Sequence, residues 1–212
     1  MAKVKHSKTK RSAASANDAV RGARAAATAS RVLRIIGGRH RGRRLRFPAG
    51  VEIRPTPDRV RETLFNWLQP RIVGARVLDL FAGSGALGLE ALSRGAAAVT
   101  FVEKDRRAAA AIDALAKEWQ ESGASVVCAD ALGWLGSSPQ AGPFDIVLLD
   151  PPYDLELLAP AAAALAAGSK LATDARVYVE RRARQPLPGM PDGWRAIRDG
   201  RAGEVGYHLF AS

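Results

Sequence analysis

Apolar runs of strand length alternate with helical stretches through the middle of the chain. Five such runs lie at 76–81, 98–103, 125–129, 144–149 and 175–180. The helical stretches between them lie at about 86–94, 105–121, 131–136 and 155–167. Near-continuous apolar strands that alternate with helices are typical of a parallel sheet covered on both faces. The pattern therefore predicts an α/β fold with a Rossmann-like, mostly parallel sheet.

Shorter patterned segments flank this region. Residues 31–47 contain two β-prone runs, RVLRIIGG and RGRRLRF, separated by turn glycines, which predicts a small basic β-hairpin. The tail WRAIRDGRAGEVGYHLF, residues 194–210, has strand character on either side of Gly200–Gly203. It predicts a C-terminal antiparallel hairpin.

A helix is predicted between the N-terminal hairpin and the sheet. Apolar residues spaced i, i+4, i+7 and i+8 form one stripe, consisting of Val60, Leu64, Trp67 and Leu68. Thr56 precedes Pro57 at the start of this segment, and we expect Thr56 to be the N-cap and Pro57 the first helical residue.

Residues 1–30 differ in composition from the rest of the chain. They contain no aromatic residue and almost no large aliphatic one, so they cannot bury enough apolar surface to order themselves. We therefore expect three parts: a disordered basic tail at 1–30, a basic hairpin-and-helix extension at 31–70 and a sheet domain at 71–212.

Positive charge is concentrated at the N-terminal end. The formal net charge is +11, and residues 1–54 hold 15 Lys and Arg against two acids, whereas residues 55–212 hold 17 against 19. This asymmetry favours contact with a polyanion, although a basic arm can also serve solubility alone. The candidate RNA-binding residues are Arg39, Arg41, Arg43, Arg44, Arg54, Arg59 and Arg61.

Other composition features limit the possible classes of protein. The single cysteine, Cys128, fits a reducing cytoplasm, where we expect the protein to be located. No apolar run approaches the roughly 18 residues that a membrane span needs, so no membrane contact is expected. His6, His40 and His208 are scattered, so no metal site is expected.

A glycine-rich loop follows the first predicted sheet strand and opens a helix. In VLDLFAGSGALGLE, Gly83, Gly85 and Gly88 fit the pattern G-x-G-x-x-G, and Glu103 ends the next strand. In this context the pattern indicates nucleotide binding, with the acid on a ribose hydroxyl. The alternative is a glycine turn that only lets the helix pack on the sheet.

Asp79, just before this loop, helps to identify the nucleotide. A carboxylate at the rim would repel a pyrophosphate, whereas it would attract the ammonium group of S-adenosylmethionine (SAM). A nicotinamide oxidoreductase fits the glycines but leaves Asp79 unexplained. Asp130, at the end of the third strand, is placed either to accept from the adenine amine or to cap the following helix, and both roles can hold.

The fourth strand ends in Asp150-Pro151-Pro152-Tyr153. Hydrogen bonds from both hydrogens of an exocyclic amine, to the Asp150 carboxylate and to the Pro151 carbonyl, would draw its nitrogen toward tetrahedral geometry. Tyr153 would stack on an extruded base. The motif alone does not separate adenine N6, cytosine N4 and guanine N2, and a proline-rich turn at the edge of the core is the alternative.

Six blocks of the chain resemble, in order, the bacterial 16S rRNA guanine-N2 methyltransferases that modify guanine 966 of the small-subunit RNA. These blocks, between about residues 32 and 210, are LRIIGG, RPTPDRVRETLFNWL, LDLFAGSGALGLEALSRGA, DPPY, YVE and AGEVGYHLF. The resemblance implies a class I SAM-dependent methyltransferase fold, and a monomeric enzyme that acts on 16S rRNA in the small ribosomal subunit. A non-catalytic RNA-binding protein with the same fold is the alternative, but it would not need Asp150 and Tyr153.

The resemblance also assigns roles to residues. The implied cofactor contacts lie at Asp79, Phe81, Gly83, Ser84, Gly85, Glu103, Asp130 and Ala131. The implied catalytic, target-base residues are Asp150, Pro151 and Tyr153. The family often has Phe at position 153, so the hydroxyl of Tyr153 is an addition without an assigned role.

Overall fold

The computed structural model describes residues 33–45, 56–138, 141–153 and 156–212. The predicted tail at 1–30, the end of the second hairpin run at 46–47 and Arg54 lie outside the described residues.

Nine strands and five helices make up the described fold. The strands are β1 (Leu33–Arg34), β2 (Arg44–Leu45), β3 (Arg76–Asp79), β4 (Ala98–Glu103), β5 (Ala124–Cys128), β6 (Phe144–Leu149), β7 (Leu171–Arg182), β8 (Arg195–Ala202) and β9 (Val205–Ala211). The helices are α1 (Asp58–Ile72), α2 (Ala86–Ser93), α3 (Arg106–Glu118), α4 (Ala131–Ser137) and α5 (Leu158–Ala167). None of these helices is both long and apolar enough to cross a membrane.

Seven strands form one sheet in the order β5-β4-β3-β6-β7-β9-β8. The first five strands in this order run parallel to one another, whereas β9 pairs antiparallel with both β7 and β8. The chain moves outward from β3 through β4 and then returns to place β6 on the other side of β3. Such a reversal opens a crevice at the carboxyl ends of the two central strands, where α/β proteins bind ligands.

The apolar runs form strands because the sheet is covered on both faces. Ile146 and Leu148 of β6 contact the core under α1, α2 and α3, whereas Val147 and Leu149 contact the core under α4 and α5. All four side chains are buried, so the strand needs apolar residues at successive positions. The predicted α/β sheet and its C-terminal antiparallel hairpin are confirmed.

The N-terminal hairpin is present but short, since β1 and β2 pair over two residues each. A buried carboxylate holds it against α2. Glu90 accepts hydrogen bonds from the backbone N–H groups of Ile36 at 2.7 Å and Gly37 at 2.8 Å. The hairpin is therefore attached through polar contacts as well as through the burial of Leu33 and Leu45.

Helix α1 follows the predicted stripe but not the predicted cap. Val60, Leu64 and Leu68 are buried. Pro57 occupies the N-cap position, with no side-chain capping bond, so the prediction that Thr56 caps the helix is wrong. The hydroxyl of Thr56 instead donates to Asp150, a partner far away in sequence.

Candidate active site

A cavity of about 900 Å³ opens at the carboxyl ends of β3, β4, β5 and β6. Ten of the predicted cofactor and target-base residues line it: Asp79, Phe81, Gly83, Ser84, Glu103, Asp130, Ala131, Asp150, Pro151 and Tyr153. The topology explains this convergence, because parallel strands bring the residues that follow them to one edge. The volume lies within the range of cavities that bind small molecules and cofactors.

Asp79 ends β3 at the base of the cavity. Its carboxylate is 2% exposed and accepts a hydrogen bond from the N–H of Gly88 at 3.0 Å. Burial raises the pKa of Asp79 to about 7, the Gly88 bond opposes that rise and the nearby Glu103 adds to it. A cation beside Asp79 would favour the charged carboxylate and lower this pKa.

The three loop glycines have different structural roles. Gly83 has φ of +51°, and a Cβ atom there would approach only the Phe81 carbonyl oxygen, at 3.8 Å, so its backbone is open to the cavity. A Cβ at Gly85 would lie 2.9 Å from Ile112 of α3, and one at Gly88 would lie 2.2 Å from the Phe101 ring of β4. Gly83 therefore serves the cavity, whereas Gly85 and Gly88 allow close packing.

The packing at Gly85 accounts for the glycine there, and its cofactor contact stays a prediction. The structure does not place it in the cavity lining, although it was expected to contact the cofactor. Its left-handed conformation, with φ of +67°, and its contact with Ile112 account for the glycine at this position.

Glu103 holds the loop in place from the end of β4. One carboxylate oxygen accepts from the N–H of Gly83 and the other from the N–H of Asp105, both at 2.7 Å. Each oxygen of a carboxylate can accept a second bond, so these contacts are compatible with a ligand hydroxyl. Asp130 caps α4 by accepting from the N–H of Gly133 at 2.9 Å, which confirms the predicted cap.

Asp150 and Tyr153 each contact a residue from a distant part of the chain. Asp150 accepts a hydrogen bond from the Thr56 hydroxyl at 3.1 Å. Tyr153 donates its hydroxyl to Glu180 of β7 at 3.1 Å, and the guanidinium of Arg182 lies 5.8 Å from the centroid of its ring. Sequence reasoning missed Thr56, Glu180 and Arg182 as parts of this site. The blocks RPTPD and YVE contain the first two, but nothing in their local pattern identifies their partners.

The predicted RNA-binding arginines fall into three groups. Arg41, Arg43, Arg44 and Arg59 are exposed. Arg39 is also exposed at the surface, but its guanidinium forms an ion pair with Glu121. Arg61 does not fit the predicted role.

Arg61 has no exposed side-chain surface. It donates to Asp58 at 2.7 Å and to the carbonyl of Arg34 at 3.0 Å, and it lies 3.7 Å from Glu90. A guanidinium enclosed in this way cannot reach a phosphate. Arg61 is therefore a structural residue that joins α1 to the N-terminal hairpin.

The two histidines in the described part of the chain, His40 and His208, also have structural partners. His40 is paired with Glu121 and packs on Trp119, with ring centroids 5.0 Å apart. His208 accepts from Arg181 at 3.1 Å. Among the residues that the structure describes, no group of three or more His, Cys, Asp or Glu side chains is placed to hold a metal ion.

Comparison with known proteins places this arrangement in a family. The family model described as "Conserved hypothetical protein 95" matches residues 33–211. Ribosomal RNA small subunit methyltransferase D of Escherichia coli is 45% identical over 178 residues, which cover 84% of this chain and 89% of that protein. The chain belongs to the ribosomal RNA small subunit methyltransferase D family.

Further relatives support this membership. The methyltransferase D of Haemophilus influenzae is 42% identical over 184 residues, covering 84% of this chain and 93% of that protein. A solved methyltransferase structure from Escherichia coli superposes with a TM-score of 0.77 at 43% identity, covering 85% of this chain and 97% of that one. Membership in the methyltransferase D family confirms the resemblance identified in the sequence.

Proposed function

We propose that this protein transfers a methyl group from SAM to the exocyclic N2 amine of a guanine in 16S rRNA, acting as a monomer on the assembled small ribosomal subunit. The observation that carries the proposal is a single cavity lined by two groups of residues with different chemistry. Asp79, Gly83 and Glu103 form what we call the donor side, and Asp150, Pro151 and Tyr153 form the base side. Family membership supports the activity and the RNA substrate.

The donor side fits SAM. The buried carboxylate of Asp79 suits the ammonium group of the methionine moiety, and the open backbone of Gly83 allows close approach. Glu103 is placed for the ribose hydroxyls and Asp130 for the adenine amine. When bound, SAM supplies an electrophilic methyl group on a sulfonium. A pyrophosphate would meet the negative charge of Asp79, so a nicotinamide dinucleotide does not fit this wall.

The base side fits an exocyclic amine. The carboxylate of Asp150 and the carbonyl of Pro151 accept hydrogen bonds from the two N–H groups of the amine. These bonds draw the nitrogen lone pair out of conjugation with the ring. Thr56 donates one hydrogen bond to Asp150, and a carboxylate offers about four lone-pair sites, so this bond is compatible with another from the amine. On transfer, the new N–C bond would form from that lone pair while the methyl–sulfur bond of the sulfonium breaks and leaves a neutral thioether, and the amine would then release one proton to a carboxylate or to water.

Tyr153 holds the ring of the target base by stacking. Arg182 lies over its ring, an arrangement that stabilises a cation by about 0.5–1 kcal/mol at exposed sites. An aromatic ring has two faces, so we place the base on the face opposite Arg182. Aromatic–base stacking contributes roughly 1–3 kcal/mol per base, which offsets part of the energy needed to extrude it.

The exposed arginines supply the contact with folded RNA. Charge reversal at Arg41, Arg43 and Arg44 should weaken binding to small-subunit particles and lower its dependence on salt, because each lost phosphate contact reduces the slope of log K against log salt by roughly 0.7–0.9. Arg59, in the first turn of α1, lies close in sequence to Thr56 and so near the cavity. An unchanged salt slope in the reversed variant would exclude the hairpin from RNA binding.

The decisive experiment is transfer of labelled methyl from SAM to small-subunit particles that lack this modification, with the label mapped to the base. We expect label at a single guanine N2 in the particles and much less in free 16S rRNA. Label on another base would contradict the guanine assignment, and equal labelling of free RNA would contradict the particle as substrate. A wild-type protein that binds SAM but labels no RNA would contradict the catalytic proposal.

A further inference from the structure

A buried carboxylate lies behind the base side. Glu180, near the end of β7, is 2% exposed. One of its oxygens accepts from the Tyr153 hydroxyl at 3.1 Å, and the other accepts from the Tyr178 hydroxyl at 3.0 Å. Glu180 is thus a buried acid whose two oxygens each bind a tyrosine, one of which lines the cavity.

The sheet places this carboxylate beside the reacting end of β6. Leu149 of β6 is paired with Val179 of β7, so the residues that follow them, Asp150 and Glu180, come from neighbouring strands at the same edge. Asp150 is near enough for its charge to act on Tyr178. The Glu180 carboxylate therefore belongs to the immediate surroundings of the motif, although it does not line the cavity.

The phenol of Tyr178 is suited to remain a donor. Burial raises the pKa of Tyr178 well above its ordinary value, and the charge of Glu180 adds to that rise. A protonated phenol offers its single hydrogen to the carboxylate. A buried carboxylate is costly unless such donors compensate it, and hydrogen bonds to a charged group contribute roughly 1.5–3 kcal/mol each.

The side chain of Tyr153 is attached to the backbone at one end only. Two prolines fix the chain before it, but the ring could still rotate about its side-chain torsions. The bond from its hydroxyl to Glu180 ties the far end of the ring to the sheet. A ring held at both ends presents one orientation to a base.

We propose that Glu180 is a positioning residue, which fixes the ring of Tyr153 for stacking against the target base by binding its hydroxyl. This inference rests on the proposed function, since it concerns the same base side. It assigns a role to the hydroxyl that distinguishes Tyr153 from phenylalanine. Glu180 acts through Tyr153 and does not touch the base.

A double-mutant cycle tests this link. Turnover on unmethylated small-subunit particles is measured for wild type, Tyr153→Phe, Glu180→Gln and the double variant. Because Tyr153→Phe removes the donor and Glu180→Gln replaces the charged acceptor of the same bond, we expect each single variant to lower kcat, by up to about fivefold, and the double variant to resemble Tyr153→Phe, all with unchanged SAM affinity. If Glu180→Gln lowers kcat by the same factor in the wild-type and Tyr153→Phe backgrounds, the proposal is overturned.

Tyr178→Phe provides the matched comparison, because it removes the other bond of Glu180. If Glu180 only supports the fold, Tyr153→Phe and Tyr178→Phe should show the same coupling energy with Glu180→Gln, in kcat as well as in melting temperature. We expect Tyr178→Phe to couple with Glu180→Gln in melting temperature but not in kcat. Coupling of Tyr178 and Glu180 in kcat as strong as that of Tyr153 and Glu180 would assign Glu180 a purely structural role.

A measurement without RNA separates this inference from the proposed function. The chain has three tyrosines, so fluorotyrosine labelling gives three ¹⁹F resonances, and the one lost in Tyr153→Phe belongs to Tyr153. We expect Glu180→Gln to shift and broaden that resonance. An unchanged Tyr153 resonance overturns the inference even if the wild type methylates RNA, whereas a shifted resonance with no labelled RNA overturns the proposed function alone.

Discussion

The two sides of the cavity are built in different ways. On the donor side, Asp79 and Glu103 accept hydrogen bonds from backbone N–H groups 9 and 20 residues away, within one strand–helix–strand unit. On the base side, Asp150 is bonded to a side chain 94 residues earlier and Tyr153 to one 27 residues later. The donor side is therefore a local structure, whereas the base side depends on how α1 and β7 pack around the central strands.

This difference has a functional consequence. A loop held by its own backbone can keep its geometry while other parts of the protein change. A pair of side chains held from two other elements is sensitive to substitutions far away in sequence. We therefore expect variants on the two sides to affect different steps.

Asp150→Ala should abolish the acceptor for the amine and lower turnover by about 10³-fold, with SAM affinity within about twofold of wild type. Methyl transfer to particles and equilibrium SAM binding measure the two effects. Asp113→Ala, which removes an exposed carboxylate on α3, is the control and should change neither. Equal losses of turnover and SAM affinity would place Asp150 on the donor side and remove the contrast between the two sides.

Asp79→Asn should lower SAM affinity and leave particle binding almost unchanged. Removing the buried charge that we propose faces the ammonium group should weaken SAM binding by roughly 100-fold, since losing one partner of a buried charge pair costs about 2–5 kcal/mol. Particle binding should stay near the wild-type value, because the arginines and the base side are unchanged. A large loss of particle binding in this variant would show that the two sides are not independent.

The raised pKa of Asp79 predicts a pH dependence of SAM binding. Because that pKa is about 7 in the ligand-free protein, the carboxylate is mostly neutral at pH 6 and mostly charged at pH 8. A cationic ligand prefers the charged form, so affinity should fall as pH falls through 7, about tenfold between pH 8 and pH 6. Titration calorimetry at several pH values measures this, and the dependence should flatten in Asp79→Asn.

Thr56→Val should have the smallest effect. It removes the hydroxyl bonded to Asp150 but preserves side-chain volume, so we expect kcat to fall about fivefold with unchanged SAM affinity. Thr63→Val is the matched control, because Thr63 lies on α1 and its hydroxyl bonds to the backbone carbonyl of Arg59, away from Asp150 in the chain. If both substitutions lower kcat equally, the effect comes from α1 and not from the contact with Asp150.

Sequence reasoning predicted the donor side better than the base side for a physical reason. The strand, the glycines and Glu103 follow from patterns within about 25 residues, and each glycine is required by a local conformation or a close contact. Thr56 illustrates the opposite case. A threonine before a proline and an acid predicts an N-cap, but the competing contact with Asp150 became available only when folding brought the residue before α1 close to the residue after β6.

Arg61 shows the same limit for charge. An arginine at the start of a helix in a basic segment predicts a surface residue that contacts RNA. Nothing in the local sequence indicates that Glu90 and the Arg34 carbonyl lie next to Arg61 in the folded protein. Arginines with exposed side chains, such as Arg43, cannot be distinguished from it by composition. Burial is a property of the packed molecule and has no local signature in the chain.

The order of apolar runs was sufficient by itself to predict the parallel α/β sheet that the structure confirms. The glycine loop and the DPPY motif predict a nucleotide-type site and an amine-directed motif, because each prediction depends on short-range periodicity or on residue chemistry. Only the tertiary structure decided which groups hold Asp150 and Tyr153, and which arginines reach the surface. Those contacts join residues that the chain keeps far apart, so their energies arise only when the whole sheet and its covering helices have assembled.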